Sequence, residues 1–265
     1  MTSAAFDMPM DATLTLDHTE STDKILSIEH LAVSFDGFKA VDDLSMSIEE
    51  RELRVIIGPN GAGKTTLLDM ICGKTRPTSG SIRFQDVELT KLAEFEIVRR
   101  GVGRKFQNPS IYEDLTVGEN LEISIPQAHG VWASILFKRT PKVKERIAEI
   151  AEQIMLADQL RTKSARLSHG QKQWLEIGML LMQDPALMLL DEPVAGMSSR
   201  ERDATAELLK RIAGGRSLVV IEHDMGFVRS IAHRVTVMHQ GKVLAEGSME
   251  AVQSDPRVID VYLGH

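Results

Sequence analysis

The spacing of apolar positions changes several times along this chain, and the changes divide it into regions. Ile25 to Phe35 (ILSIEHLAVSF) has the near-alternation of a half-buried strand, and Asp36-Gly37 closes it with a turn signal. Leu44 to Ile48 and Ser81 to Val87 alternate in the same way, which predicts a small antiparallel sheet in the first part of the chain. The apolar run Leu53 to Ile57 is a further strand, followed by a helix through Leu67-Leu68-Asp69-Met70-Ile71. Lys91 to Arg100 reads as helix, ended by Gly101 and Gly103.

Residues 108–168 change character. Val143, Ile147, Ile150, Ala151 and Ile154 recur at spacings of three and four, the stripe of an amphipathic helix, with Pro126, Gly130 and Pro141 punctuating the approach. This stretch is expected to be a helical subdomain inserted between core elements. After Ser168 the pattern alternates: helix Gly170–Met182, strand Ala186–Asp191, helix Arg200–Ala213 stopped by Gly214-Gly215, strand Ser217–Glu222, a short helix from Met225, and strand Arg234–Met238. Strands alternating with helices predict a mainly parallel sheet covered by helices, an α/β protein.

Composition adds limits. The 265 residues suffice for one large domain, expected over 25–265, and the acidic, polar residues 1–24 read as a flexible tail. A net charge of −7 argues against a nucleic-acid partner. The one cysteine, Cys72, cannot form an intrachain disulfide and reads as a small buried apolar residue. The longest apolar runs, Val131–Phe137 and Ala186–Leu190, fall well short of the roughly 18 residues that span a bilayer. The N-terminus has no basic segment leading into an apolar one, so no secretory signal is expected.

The chemistry is concentrated between strand and helix at Gly58-Pro59-Asn60-Gly61-Ala62-Gly63-Lys64-Thr65-Thr66, which fits the phosphate-binding loop G-x-x-x-x-G-K-[ST]. Its glycines let backbone N–H groups turn around a polyphosphate, and the following helix adds the positive end of its dipole. Lys64 can reach the outer phosphates, and the Thr65 hydroxyl is a ligand of the kind Mg²⁺ prefers. Leu187-Met188-Leu189-Leu190-Asp191-Glu192-Pro193 is a buried strand ending in two acids. Asp191 is placed to hold Mg²⁺, and Glu192 to orient and deprotonate an attacking water. Leu167-Ser168-His169-Gly170-Gln171 opens a helix. Ser168 with Gln171 forms a capping box, and the Ser168 hydroxyl and Gly170 N–H could hold a γ-phosphate.

These motifs, in this order, resemble those of ABC transporter ATPase subunits over residues 25–264. Their signature reads L-S-G-G-Q, and His169 replaces its first glycine here. The resemblance implies a phosphate-loop NTPase (RecA-like) parallel-sheet core, an N-terminal antiparallel β subdomain and a helical subdomain at about 108–168. It implies ATP and Mg²⁺ as cofactors. Gln107, in Phe106-Gln107-Asn108, matches the glutamine that couples γ-phosphate and Mg²⁺ to the helical subdomain, and His223, in Ile221-Glu222-His223-Asp224, matches the switch histidine. Phe35 matches the aromatic that stacks on adenine, with Phe38 the runner-up. Ala195-Gly196-Met197-Ser198 lacks the aspartate that commonly ends its segment.

The resemblance also implies that Ser168, Gly170 and Gln171 act on ATP held by the opposite subunit of a dimer. Partners would be integral-membrane permease subunits, reached through residues 108–140, and a second ATPase subunit, with a heterodimer expected and a homodimer possible. The chain would sit peripherally on the cytoplasmic face of the inner membrane. The blocks Leu167–Glu176, Asp191–Met197 and Asp255–Gly264 are similar to the branched-chain amino acid and urea uptake group. His169 with Trp174 points within it to urea as cargo, with branched-chain or hydrophobic amino acids as the alternative. A soluble ABC protein would carry two cassettes or long coiled-coil insertions. A small-molecule kinase would leave the signature and His223 without roles.

Overall fold

The computed structural model describes residues 24–105, 111–126 and 140–263. Strands β1 (Lys24–Phe35) and β2 (Phe38–Glu49) form a long antiparallel hairpin, reversed at Asp36 (φ 48°) and Gly37 (φ 88°) as the alternation and turn signal predict. With β4 (Ser79–Phe84) and β5 (Val87–Glu88) they make a four-stranded sheet in the order β2-β1-β4-β5. The single strand expected over 81–87 is therefore two. Gln85 adopts φ 51°, and Gln85-Asp86 reverses the chain so that Phe84 faces Val87. Periodicity missed this because Gln-Asp reads equally well as the polar side of a strand or as a turn.

The second sheet has six strands in the order β10-β9-β3-β8-β7-β6. They are β3 (Leu53–Ile57), β6 (Val102–Lys105), β7 (Leu187–Asp191), β8 (Ser217–Ile221), β9 (Arg234–His239) and β10 (Lys242–Gly247). All neighbours pair parallel except β9 with β10, so the sheet is mixed. Its central strands are buried on both faces, and their period of two divides them between two cores. Ile56, Leu187, Leu189, Val219 and Ile221 face the antiparallel sheet and α1 (Lys64–Ile71). Val55, Met188, Leu190, Leu218 and Val220 face the helices α5 (His169–Leu181), α6 (Ser199–Ala213) and α7 (Met225–Ile231).

Helices α2 (Glu94–Arg99), α3 (Val117–Ile123) and α4 (Pro141–Gln153) complete the middle of the chain. α2 starts three residues later than its pattern predicts, because Leu89 to Leu92 forms a turn and the Glu96 carboxylate accepts the Ala93 N–H. On α4 the predicted stripe faces inward at Ile150 and Ala151, and with Ile154, Val117 and Leu121 it packs in the cluster that holds Trp174 and Leu175 of α5. Beyond β9 the sequence pattern predicts no element, yet the chain continues through β10, α8 (Met249–Gln253) and α9 (Pro256–Leu263). No helix among the described residues is long and apolar enough to cross a membrane.

Candidate nucleotide site

Strands β3, β8 and β7 lie side by side and end level, with Ile56 and Asp191 both registered on Ile221. The turns that follow them therefore meet at one edge of the sheet, where ligands bind in such folds. The loop from Gly58 to Gly63 fills this edge. Gly58 has φ 153°, and an added Cβ would lie 2.1 Å from the Met238 carbonyl oxygen; Gly63 has φ 95°, and its Cβ would lie 2.3 Å from the Ala40 oxygen. The loop can lie this close to β9 and β2 only with glycine at both positions. Helix α1, N-capped by Gly63, has no side-chain cap and no acid in its first turn, which leaves its N-terminal N–H groups suited to an anion.

A cavity of about 290 Å³ opens beside the loop, lined by Asn60 to Thr66, Phe38, Ala40, Glu192 and Ile221. Lys64 Nζ donates to the carbonyls of Gly58 (2.7 Å) and Pro59 (3.0 Å). Burial pushes its ammonium below the usual lysine value, with Glu192 and Asp191 opposing. Asp191 is 2% exposed and lies beside the Thr65 hydroxyl. Burial pushes its carboxyl up, opposed by the Arg104 guanidinium 3.8 Å from Oδ2 and by the nearby Thr65 hydroxyl. Its Oδ1 has no hydrogen-bond partner among the described residues. A buried carboxylate oxygen left open beside a threonine hydroxyl fits Mg²⁺, which takes few protein oxygens and completes its shell with phosphate and water. Among the described residues no cluster of three or more His, Cys, Asp or Glu stands ready to cage a metal without such help.

Glu192 follows at φ 47°, its N–H donated to Ile221, and His223 Nδ1 lies 3.6 Å from its Oε1. Glu222 was not singled out by sequence reasoning. It is 1% exposed and accepts the N–H groups of His223 (3.0 Å) and Val194 (3.3 Å), tying the turn after β8 to the turn after β7. Burial pushes its carboxyl above the ordinary glutamate value. Arg104 was missed too. From β6 it holds Asp69 of α1 at 2.5 Å as well as facing Asp191.

Phe38 lines the cavity and Phe35 does not, because the hairpin brings the start of β2 over the loop, with Phe38 and Ala40 on the same side. Gln107 lies outside the described residues. Ser168, Gly170 and Gln171 do not line the cavity in their own chain. They form the N-terminus of α5, where the Ser168–Gln171 capping box closes in both directions (3.2 and 2.9 Å).

Residues 41–195 match the family model for the ABC transporter, and residues 242–265 match that for the branched-chain amino acid ATP-binding cassette transporter. The high-affinity branched-chain amino acid transport ATP-binding protein BraF of Pseudomonas aeruginosa is 34% identical over 250 residues, covering 91% of this chain and 98% of that protein. LivG of Escherichia coli, described in the same words, is 34% identical over 251 residues with the same coverage. A nucleotide-free ATP-binding cassette from an ABC transporter superposes with a TM-score of 0.79 at 31% identity, over 91% of this chain and 100% of that one. A cassette solved in its ADP conformation gives 0.79 at 32% identity, over 91% and 99%.

Proposed function

The chain belongs to the ABC transporter family as one of its ATP-hydrolysing subunits, and from that premise we propose that it drives the import of branched-chain amino acids. The match of residues 242–265 to the branched-chain family carries the cargo reading, supported by the names of relatives that span nearly their whole length on this chain. The 167–176 block with His169 and Trp174 favours urea, but the relatives named above are all described for branched-chain amino acids.

The convergence of Lys64, Thr65 and Glu192 on one cavity, with Asp191 close to Thr65 beside it, supports the chemical reading. Phe38 stacks on the base. The N–H groups from Asn60 to Thr66 hold the phosphates, and Lys64 neutralises the outer ones. Mg²⁺ would be held by Thr65, Asp191 and Gln107, and when bound it supplies charge neutralisation at the β- and γ-phosphates. Glu192 orients and deprotonates the water that attacks the γ-phosphorus, and His223 beside it faces the same phosphate. Ser168, Gly170 and Gln171 complete the site of the opposite subunit. ATP thus favours the closed pair and hydrolysis releases it. The pair is a heterodimer with a second ATPase subunit. Residues 108–140 of the helical region carry its motion to permease subunits, which hold the chain at the inner face of the membrane.

Deletion of the gene, with labelled leucine and labelled urea uptake measured side by side, tests the cargo. Loss of leucine uptake with urea uptake intact is expected; the reverse would return the chain to urea.

A further inference from the structure

The Ser168 hydroxyl has two partners. It accepts the Gln171 N–H at 3.2 Å, and it donates its proton to Glu201 Oε1 at 3.1 Å. Glu201 belongs to the first turn of α6, where its Oε2 accepts the N–H (2.9 Å) and hydroxyl (2.8 Å) of Ser198. The same Oε1 lies against Gly170, where an added Cβ would come within 2.4 Å of it. The Ser198 bonds hold the carboxyl below the usual glutamate range, so it is charged at neutral pH. On the other side, His169 Nε2 is 3.0 Å from the Ala195 carbonyl, and its ring rests on Gly196. The opening of α5 is thus tied to the segment 195–201 at two points.

A serine hydroxyl has one proton to donate. If Ser168 gives that proton to a γ-phosphate held by the opposite subunit, it cannot give it to Glu201 at the same time. The Glu201 carboxylate also brings negative charge to the helix end that must receive a polyphosphate, and like charges there oppose each other. We propose that Glu201 is a positioning residue that competes with the nucleotide phosphate for Ser168, so that two cassettes close only when its carboxylate leaves the serine. This rests on the reading of Ser168 given under Proposed function. Oε2 can keep its Ser198 bonds while Oε1 turns away, so the contact sets a threshold for closure without preventing it. One charge-assisted hydrogen bond is exchanged for another.

The test is ATP-dependent association of the full chain carrying Glu192→Gln, alone or with the second cassette it pairs with, measured by sedimentation. Adding Glu201→Gln keeps an acceptor for the Ser198 N–H and removes the charge. Association is expected to tighten about tenfold, the scale of one charge-assisted contact. ATP affinity of the single chain and its Tm should stay as they were. Association that is unchanged, or weakened together with Tm, means that Glu201 only caps α6, and the proposal falls. Ser168→Ala in the same background separates the two ideas. Looser association upholds the reading of Ser168, whatever Glu201 does. Unchanged association with Ser168→Ala, or no association of the Glu192→Gln chain in ATP with either partner, overturns that reading and the proposal with it.

Discussion

Glu192 is a non-glycine residue held in the left-handed region, φ 47°, at the end of a buried strand. Such a conformation costs energy and persists only where the surroundings impose it, here through the N–H bond to Ile221 and the His223 imidazole alongside. Its carboxylate faces the cavity. Glu192→Gln should bind ATP as before and lose hydrolysis by about 100-fold or more, the range for a general base. Wild-type turnover in a phosphate-release assay would remove Glu192 from that role. Phe38→Ala should weaken ATP affinity measured with a fluorescent analogue, by about fivefold for one lost stacking contact, and Phe35→Ala should leave it nearly unchanged. The loop and the two acids were legible in the sequence because their chemistry is local: strand, glycines, lysine and hydroxyl are consecutive. The choice between Phe35 and Phe38 was not, since both flank one turn and only the way the hairpin folds over the loop separates them. Nor was the bond from Ser168 to Glu201, which packing of two helices sets across 33 positions of chain.

At the scale of elements, the alternation that predicted strands also hid what joins them. Arg54 sits in the apolar run of β3 and is fully buried. Its guanidinium bonds Glu52 on its own chain segment, Thr236 on β9, Glu246 on β10 and the Ser47 carbonyl on β2. One side chain therefore joins both sheets, and within the second it ties β3 to β9 and β10. Four of its five N–H donors meet these acceptors, an array that a lysine could not supply. A polar residue within a short apolar run gives no hint of this, because its partners lie on strands far apart in sequence. Arg54→Met should lower the free energy of unfolding by about 3–5 kcal/mol, because it strands the Glu52 carboxylate in the interior. Urea unfolding checks this, and a loss below about 1 kcal/mol would mean that water reaches the network. β10 was invisible to periodicity because at the sheet edge only Ala245 of its six residues is buried, so its burial does not alternate.

For the whole molecule, the six-stranded sheet divides two cores, and the cavity lies where its central strands end. The antiparallel sheet and α1 back the phosphate loop from one side, and α5 and α6 carry Ser168 and Glu201 on the other. The only cysteine of the sequence lies in the first of these cores. Cys72 follows α1, is 3% exposed, and its sulfur faces the Arg104 guanidinium at 3.3 Å. A thiol reagent can meet that sulfur only when the packing at the end of α1 opens. The chain thus carries a built-in clock: one chemical event per molecule, timed by how often the element that grips phosphate lets go. Where closing outpaces labelling, the rate reports the opening equilibrium. ATP at 100 times its Kd should then slow modification about 100-fold, as read by intact mass against time. A rate indifferent to ATP would show that α1 opens with the nucleotide still in place.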